Sequence, residues 1–143
     1  MTYWDASALV SLLVREPETS RVQTWLNDDP MVVTWVWTRV EITSAIERRH
    51  REGLLTRRQR RDLLTRLDAL ARQWDEIIDS VAVRRQAIRA LARHPLRAAD
   101  AAQLGAAIIY YGGDPAGGRF ACLDRRLTEA AELEGFSVLG ATD

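Results

Sequence analysis

Apolar residues arrive along this chain in two rhythms. Short apolar or alternating runs stand at Thr2-Tyr3-Trp4, Met31-Val32-Val33-Thr34, Glu76-Ile77-Ile78-Asp79, Arg119-Phe120-Ala121-Cys122-Leu123 and Phe136-Ser137-Val138-Leu139. These read as strands. Between them the period lengthens to that of helices. Ala6 to Val14 is rich in Leu and Val, and after Pro17 a second helix sets Val22, Trp25 and Leu26 on one face as far as the Asn27-Asp28-Asp29-Pro30 breaker. From about Val36 to Glu52 the pattern offers Val40, Ile42, Ala45 and Ile46 for burial, with Gly53 as a stop. Thr56-Arg57-Arg58-Gln59 has the form of a capping box, opening a helix with Leu63, Leu64, Leu67 and Leu70 at helical spacing. Ser80 is the expected cap of a helix over Val81 to Arg93 with Val81, Ile88 and Leu91 inward. His94-Pro95-Leu96-Arg97 interrupts it. Ala98 to Tyr111 resumes as an Ala-rich helix, and Arg125 to Glu134 is the last one. Strands separated by one or two helices imply parallel pairing with right-handed crossovers, so the expected fold is an α/β three-layer α/β/α sandwich around a central parallel sheet.

Size sharpens this picture. The 143 residues, 47% hydrophobic and 28% charged, suit a single domain over 1–143 that buries enough surface to need neither disulfides nor a structural zinc. Cys122 has no partner within the chain. No apolar run approaches the length of about 18 residues that crosses a bilayer, and Met1-Thr2-Tyr3-Trp4-Asp5 is not a leader, so the expected location is the cytoplasm. Charge adds a partition. Lysine is absent, and residues 39–97 hold 15 arginines against 8 acids while the remainder holds 5 against 12. The arginine-rich part reads either as a surface for phosphate or carboxylate partners or as ordinary solvated helix faces.

Missing residue types remove whole chemistries. Without lysine there is no Walker-type P-loop and no Schiff base. His50 and His94 lack metal-ligand spacing to each other or to Cys122, and no Gly-x-Ser-x-Gly elbow is present. Carboxylates remain. In open parallel sheets ligands bind beyond the carboxyl ends of strands, which singles out Asp5 and Asp124 at strand ends, Glu41 in the helix after the second strand, and Asp100 just after the Pro95 break. Two carboxylates about 4 Å apart repel by about 4 kcal/mol at an effective dielectric of 20, so four together call for a cation or a proton. Hard oxygen donors suit Mg²⁺ or Mn²⁺, which can activate water and hold phosphodiester oxygens. Hydrolysis of a nucleic-acid backbone is the corresponding reaction. Each acid also has a local reading: Asp5 and Asp124 as helix caps, Asp100 as a favourable charge at a helix start, and Glu41 as a solvated helix residue.

Four segments carry a resemblance: Tyr3-Trp4-Asp5-Ala6-Ser7-Ala8-Leu9, Arg39-Val40-Glu41, Pro95-Leu96-Arg97-Ala98-Ala99-Asp100-Ala101-Ala102-Gln103-Leu104 and Cys122-Leu123-Asp124-Arg125-Arg126-Leu127. In order and spacing they resemble the signature blocks of PIN-domain nucleases, and most closely those of VapC-type toxins of bacterial toxin-antitoxin modules. The resemblance implies an Mg²⁺- or Mn²⁺-dependent endoribonuclease that hydrolyses RNA. It makes Asp5 and Asp100 metal ligands, with Glu41 and Asp124 completing the shell or orienting water, and all four the catalytic set. It also implies a cognate VapB-like antitoxin laid across the groove, a homodimer, and a bacterial cytoplasmic setting. The chain departs from the family's commonest form at Ala6, where Thr is frequent, at Cys122, where a small polar residue is, and at Gln103, where His is. Ser7 is kept and reads as a hydrogen-bond partner of Asp5 or of water behind the ligands.

Five tryptophans, Trp4, Trp25, Trp35, Trp37 and Trp74, read chiefly as core, with one of the alternating Trp35 and Trp37 turned outward. A catalytically silent PIN-like module that binds RNA or an antitoxin is the alternative reading. A haloacid-type phosphatase is disfavoured, because Asp5 lacks a second aspartate two residues on.

Overall fold

The computed structural model describes residues 1–140, so the last three positions of the expected 1–143 domain lie outside it. β1 (Thr2–Trp4) runs into α1 (Ala6–Leu13) and α2 (Thr19–Asp28). β2 (Val32–Trp35) is followed by α3 (Thr38–Arg51) and α4 (Arg57–Ala71), and β3 (Asp75–Ile77) by α5 (Ser80–Arg93) and α6 (Ala98–Tyr110). β4 (Arg119–Ala121), α7 (Arg125–Glu134) and β5 (Ser137–Val138) complete the order. Every pairing is parallel, and the strands lie in the order β3-β2-β1-β4-β5. Side chains alternate between two cores. Tyr3, Val33 and Phe120 pack with α5, α6 and α7, whereas Trp4, Val32 and Ala121 pack with α1 to α4. This is the three-layer α/β/α arrangement that the alternating rhythm implies. No helix among the described residues is long and apolar enough to cross a membrane.

Several local expectations meet the same physics in the structure. Thr56 and Gln59 form the reciprocal capping box. Trp4, Trp35 and Trp74 are core, while Trp37 is exposed. Other positions differ. Val40 is exposed although Ile42, Ala45 and Ile46 on the same helix are buried. Asp79, not Ser80, caps α5, its carboxylate accepting from Ala82 N at 3.0 Å. β4 stops at Ala121, which leaves Cys122 and Leu123 in the turn before Asp124. The largest difference is in α5, where Val83 and Ala90 are buried and Val81, Ile88 and Leu91 face outward. The cause is close packing against α6. Gly105 lets the two helices approach until a Cβ placed on it would stand 2.9 Å from Val83 O and 3.1 Å from Ala87 N. Such contact needs small side chains on the facing surface, so the bulkier apolar residues of α5 turn away.

Candidate active site

The sheet order reverses between β1 and β4, which are neighbours but send their chains to helices on opposite faces. A crevice at the carboxyl ends of such strands is the usual ligand site of an open α/β sheet. Here the four acids all sit at helix starts: Asp5 caps α1, Asp124 caps α7, Glu41 lies in the first turn of α3 and Asp100 in that of α6. Glu41, Asp100 and Asp124 line one cleft of about 760 Å³, together with Val40, Ser44, Ala99 and four arginines. Asp5 is not on its wall. It is only 3% exposed and is tied to the Asp124 turn through Ser7.

Ser7 is the joint of the site. Its Oγ donates to Asp5 Oδ1 at 2.7 Å and accepts from Leu123 N at 2.9 Å and Asp124 N at 3.2 Å. One hydroxyl therefore holds the β1–α1 turn to the β4–α7 turn. The bond to Asp5 is the one the sequence suggests; the two to the later turn carry no sequence signal. Replacing Ser7 with alanine leaves two backbone donors and a buried carboxylate short of partners. The expected loss is about 2 kcal/mol, read as a fall of roughly 6 °C in Tm by calorimetry. A change within 1 °C would mean that water replaces the hydroxyl.

A second buried chain of hydrogen bonds fixes Glu41. Gln103, 1% exposed, accepts from Tyr3 OH at 2.7 Å and uses both amide protons, one to Thr38 Oγ1 at 2.9 Å and one to Glu41 Oε1 at 2.9 Å. Thr34 donates to Trp4 O at 2.7 Å and shares a 2.7 Å hydrogen bond with Thr38. Since the single proton of Thr34 goes to the carbonyl, Thr38 supplies the proton between the two hydroxyls. The Gln103 amide spends both protons and its oxygen in the row, so one oxygen of Glu41 is held from the core of the sheet.

The electrostatics match the crowding. Burial, helped by the Asp124 charge, pushes Asp5 up to about 6 against the hydrogen bonds from Ser7 and Ala8. Burial and the charges of Asp5 and Asp100 push Glu41 up to about 7, against the Gln103 amide. Burial and Asp124 raise Asp100, while Arg97 and Arg126 pull it back. Burial also pushes the Cys122 thiol far above its ordinary range, which keeps it a protonated, inert group.

These shifts have a direction in stability. A carboxyl raised in the folded state binds more protons there than in the unfolded chain. Its contribution is full below the unfolded value near 4 and is lost as pH climbs through the folded one. In EDTA the protein is therefore expected to lose stability between about pH 4 and 7, with Asp5 alone accounting for on the order of 2–3 kcal/mol. Asp5→Asn retains a capping oxygen and removes the charge. At pH 7 it should melt no lower than wild type and show a flatter pH profile. A drop above about 1 kcal/mol would mean that the carboxylate serves the cap alone.

The donor set facing a divalent ion is all carboxylate oxygen, and Glu41 Oε2 and Asp124 Oδ2 accept no hydrogen bond from the described residues. This fits a hard cation such as Mg²⁺ or Mn²⁺ in kind. The geometry is open. Among the described residues no three His, Cys, Asp or Glu side chains already form a group able to hold a metal ion. Asp5, Glu41 and Asp124 are each committed to hydrogen bonds of their own.

The fold and cleft together define a parallel α/β/α protein with an acidic site at the switch point of its sheet. The chain belongs to the PIN domain family, whose model matches residues 2–133 and so includes all four acids. PIN domains are generally metal-dependent nucleases and typically bind divalent metals. No curated protein matches the chain.

Proposed function

We propose that this chain is a VapC-type toxin of a bacterial toxin-antitoxin module, acting in the cytoplasm as an Mg²⁺- or Mn²⁺-dependent endoribonuclease. One observation carries the reading: in a PIN domain, Glu41, Asp100 and Asp124 line a single cleft, and Asp5 is buried behind it and tied to the Asp124 turn through Ser7. Asp5 and Asp100 would hold the cation, with Glu41 and Asp124 completing its shell or orienting the attacking water through their free oxygens. When bound, the ion would activate water and offset charge on the phosphodiester. The chain's own work is to hold the carboxylates. Ser7 locks Asp5 to the Asp124 turn, and Gln103 fixes the direction of Glu41. Purified, antitoxin-free protein should cut RNA with Mn²⁺ or Mg²⁺ and stop in EDTA.

A VapB-like antitoxin lying across the cleft and a homodimer belong to the same proposal. Support for a second copy comes from the outward stripe of Val81, Ile88 and Leu91 on α5, with Ile88 62% exposed. Ile88→Glu is expected to convert a dimer to a monomer in sedimentation velocity, at unchanged Tm; a wild-type monomer would remove the dimer from the proposal. The open geometry of the acids favours one second reading, a silent module that binds RNA or antitoxin without cutting. RNA that is bound but left intact in Mn²⁺ would establish it.

A further inference from the structure

The cleft has an acidic floor and a basic rim: Arg48, Arg97, Arg125 and Arg126 stand among the lining residues beside Glu41, Asp100 and Asp124. Elsewhere some arginines are engaged while others, such as Arg84, Arg85 and Arg89, are unpaired among the described residues, so what sets the rim apart is freedom together with a place on the cleft. Arg39 and Arg72 share Asp68, Arg49 pairs with Glu16, Arg60 with Glu47 and Arg93 with Glu134, and Arg66 donates to two backbone carbonyls of α1. Arg125 reaches only Glu129, in a pair so exposed that it holds little. Arg48, Arg97 and Arg126 make no ion pair and no side-chain hydrogen bond among the described residues.

For Arg97, Arg125 and Arg126 the placement runs against local helix electrostatics, whereas Arg48, in the last turn of α3, agrees with it. Arg97 is the N-cap of α6, and Arg125 and Arg126 are the first two residues of α7. The positive end of a helix disfavours a cation there. Arg48 lies seven residues after Glu41 with Ser44 between them, so one face of α3 carries acid, hydroxyl and guanidinium into the cleft in turn. Local rules broken without a structural partner to compensate are a mark of a functional position. Guanidinium groups with their donors unspent beside a carboxylate cluster are suited to phosphate.

We propose that Arg48, Arg97 and Arg126 are a phosphate clamp that grips single-stranded RNA on either side of the bond lying over the carboxylates. The choice of RNA rests on the function proposed above. A cleft of about 760 Å³ has the size of a small-molecule pocket, room for a few nucleotides of one strand. The rim then sets register on the strand, and the acids below act on the phosphodiester between the gripped phosphates.

The test is binding in EDTA, which separates it from cleavage. A short fluorescent single-stranded RNA is titrated with the protein from 50 to 200 mM salt by anisotropy. Each phosphate contact contributes about 0.7 to the slope of log K against log salt for a single strand. Arg48→Gln, Arg97→Gln and Arg126→Gln are each expected to lower that slope by about 0.7 while melting no lower than wild type. Arg39→Gln and Arg72→Gln change the net charge equally but lie off the cleft, and they should leave the slope unaltered. Equal falls in all five variants would show diffuse attraction and overturn the clamp. So would a lowered Tm in the rim variants, or binding of a poly-glutamate peptide in place of RNA. Cutting of RNA in Mn²⁺ with unchanged slopes would sink the clamp and leave the nuclease. RNA held with the expected slopes and never cut would do the reverse.

Discussion

Asp100→Asn is expected to lower kcat/KM for RNA cleavage by at least about 100-fold, equivalent to a loss of about 3 kcal/mol in transition-state stabilisation. Asparagine preserves the size of the side chain at the start of α6 but carries no charge for a cation and donates where the carboxylate accepted. The fold should not suffer. Asp100 is raised by burial and by Asp124, so in metal-free buffer removing its charge relieves repulsion, and Tm should stay level or rise. The two readouts work as a pair. Equal cleavage by wild type and variant would assign the activity to a contaminant. A large fall in Tm would assign Asp100 to the helix alone.

Gly105 should give the largest effect on stability. In a solvent-facing helix, exchanging glycine for alanine gains up to about 1 kcal/mol in propensity. Here the added methyl would press on Val83 O and Ala87 N, which are backbone atoms of a neighbouring helix and cannot rotate aside. Overpacking of this kind costs about 1–3 kcal/mol, occasionally more, so the sign reverses and Gly105→Ala is expected to destabilise. Gly105→Leu should separate α5 from α6 and prevent cooperative unfolding from being seen at all. Urea titration followed by tryptophan fluorescence reads both. A stabilised alanine variant would show that the two helices have slack between them.

How much of this was legible in the residues depends on what each signal measures. Strand and helix order follows from period, because a sheet buried on both faces and helices buried on one impose different spacings; the sandwich was therefore readable. The facing of α5 was not. Val81, Ile88 and Leu91 satisfy a helical stripe as well as Val83 and Ala90 do, and what decides between them is Gly105, a residue on another helix, whose missing side chain sets the distance of approach. The acids were visible as strand-end and helix-start carboxylates, and capping and cleft-lining are compatible: Asp124 does both from one side chain, while Asp5 caps α1 behind the wall. The rim shows a limit of composition. Arg48 and Arg97 come from the basic stretch and Arg125 and Arg126 from the acidic remainder, so the partition along the chain does not describe the partition in space. Gln103 stood out in the sequence only as a departure from the family's commoner His, and Thr38 not at all, since a buried amide or hydroxyl gains meaning only from the groups around it.

The hydroxyl of Ser7 joins turns that the ribosome makes more than a hundred residues apart, and β1 lies unpaired on one side until β4 has been synthesised. A nascent or prematurely terminated chain thus owns Asp5, Glu41 and Asp100 but has no wall for them to face. Whatever the cleft binds therefore needs both halves of the chain folded together, and neither half offers the site alone.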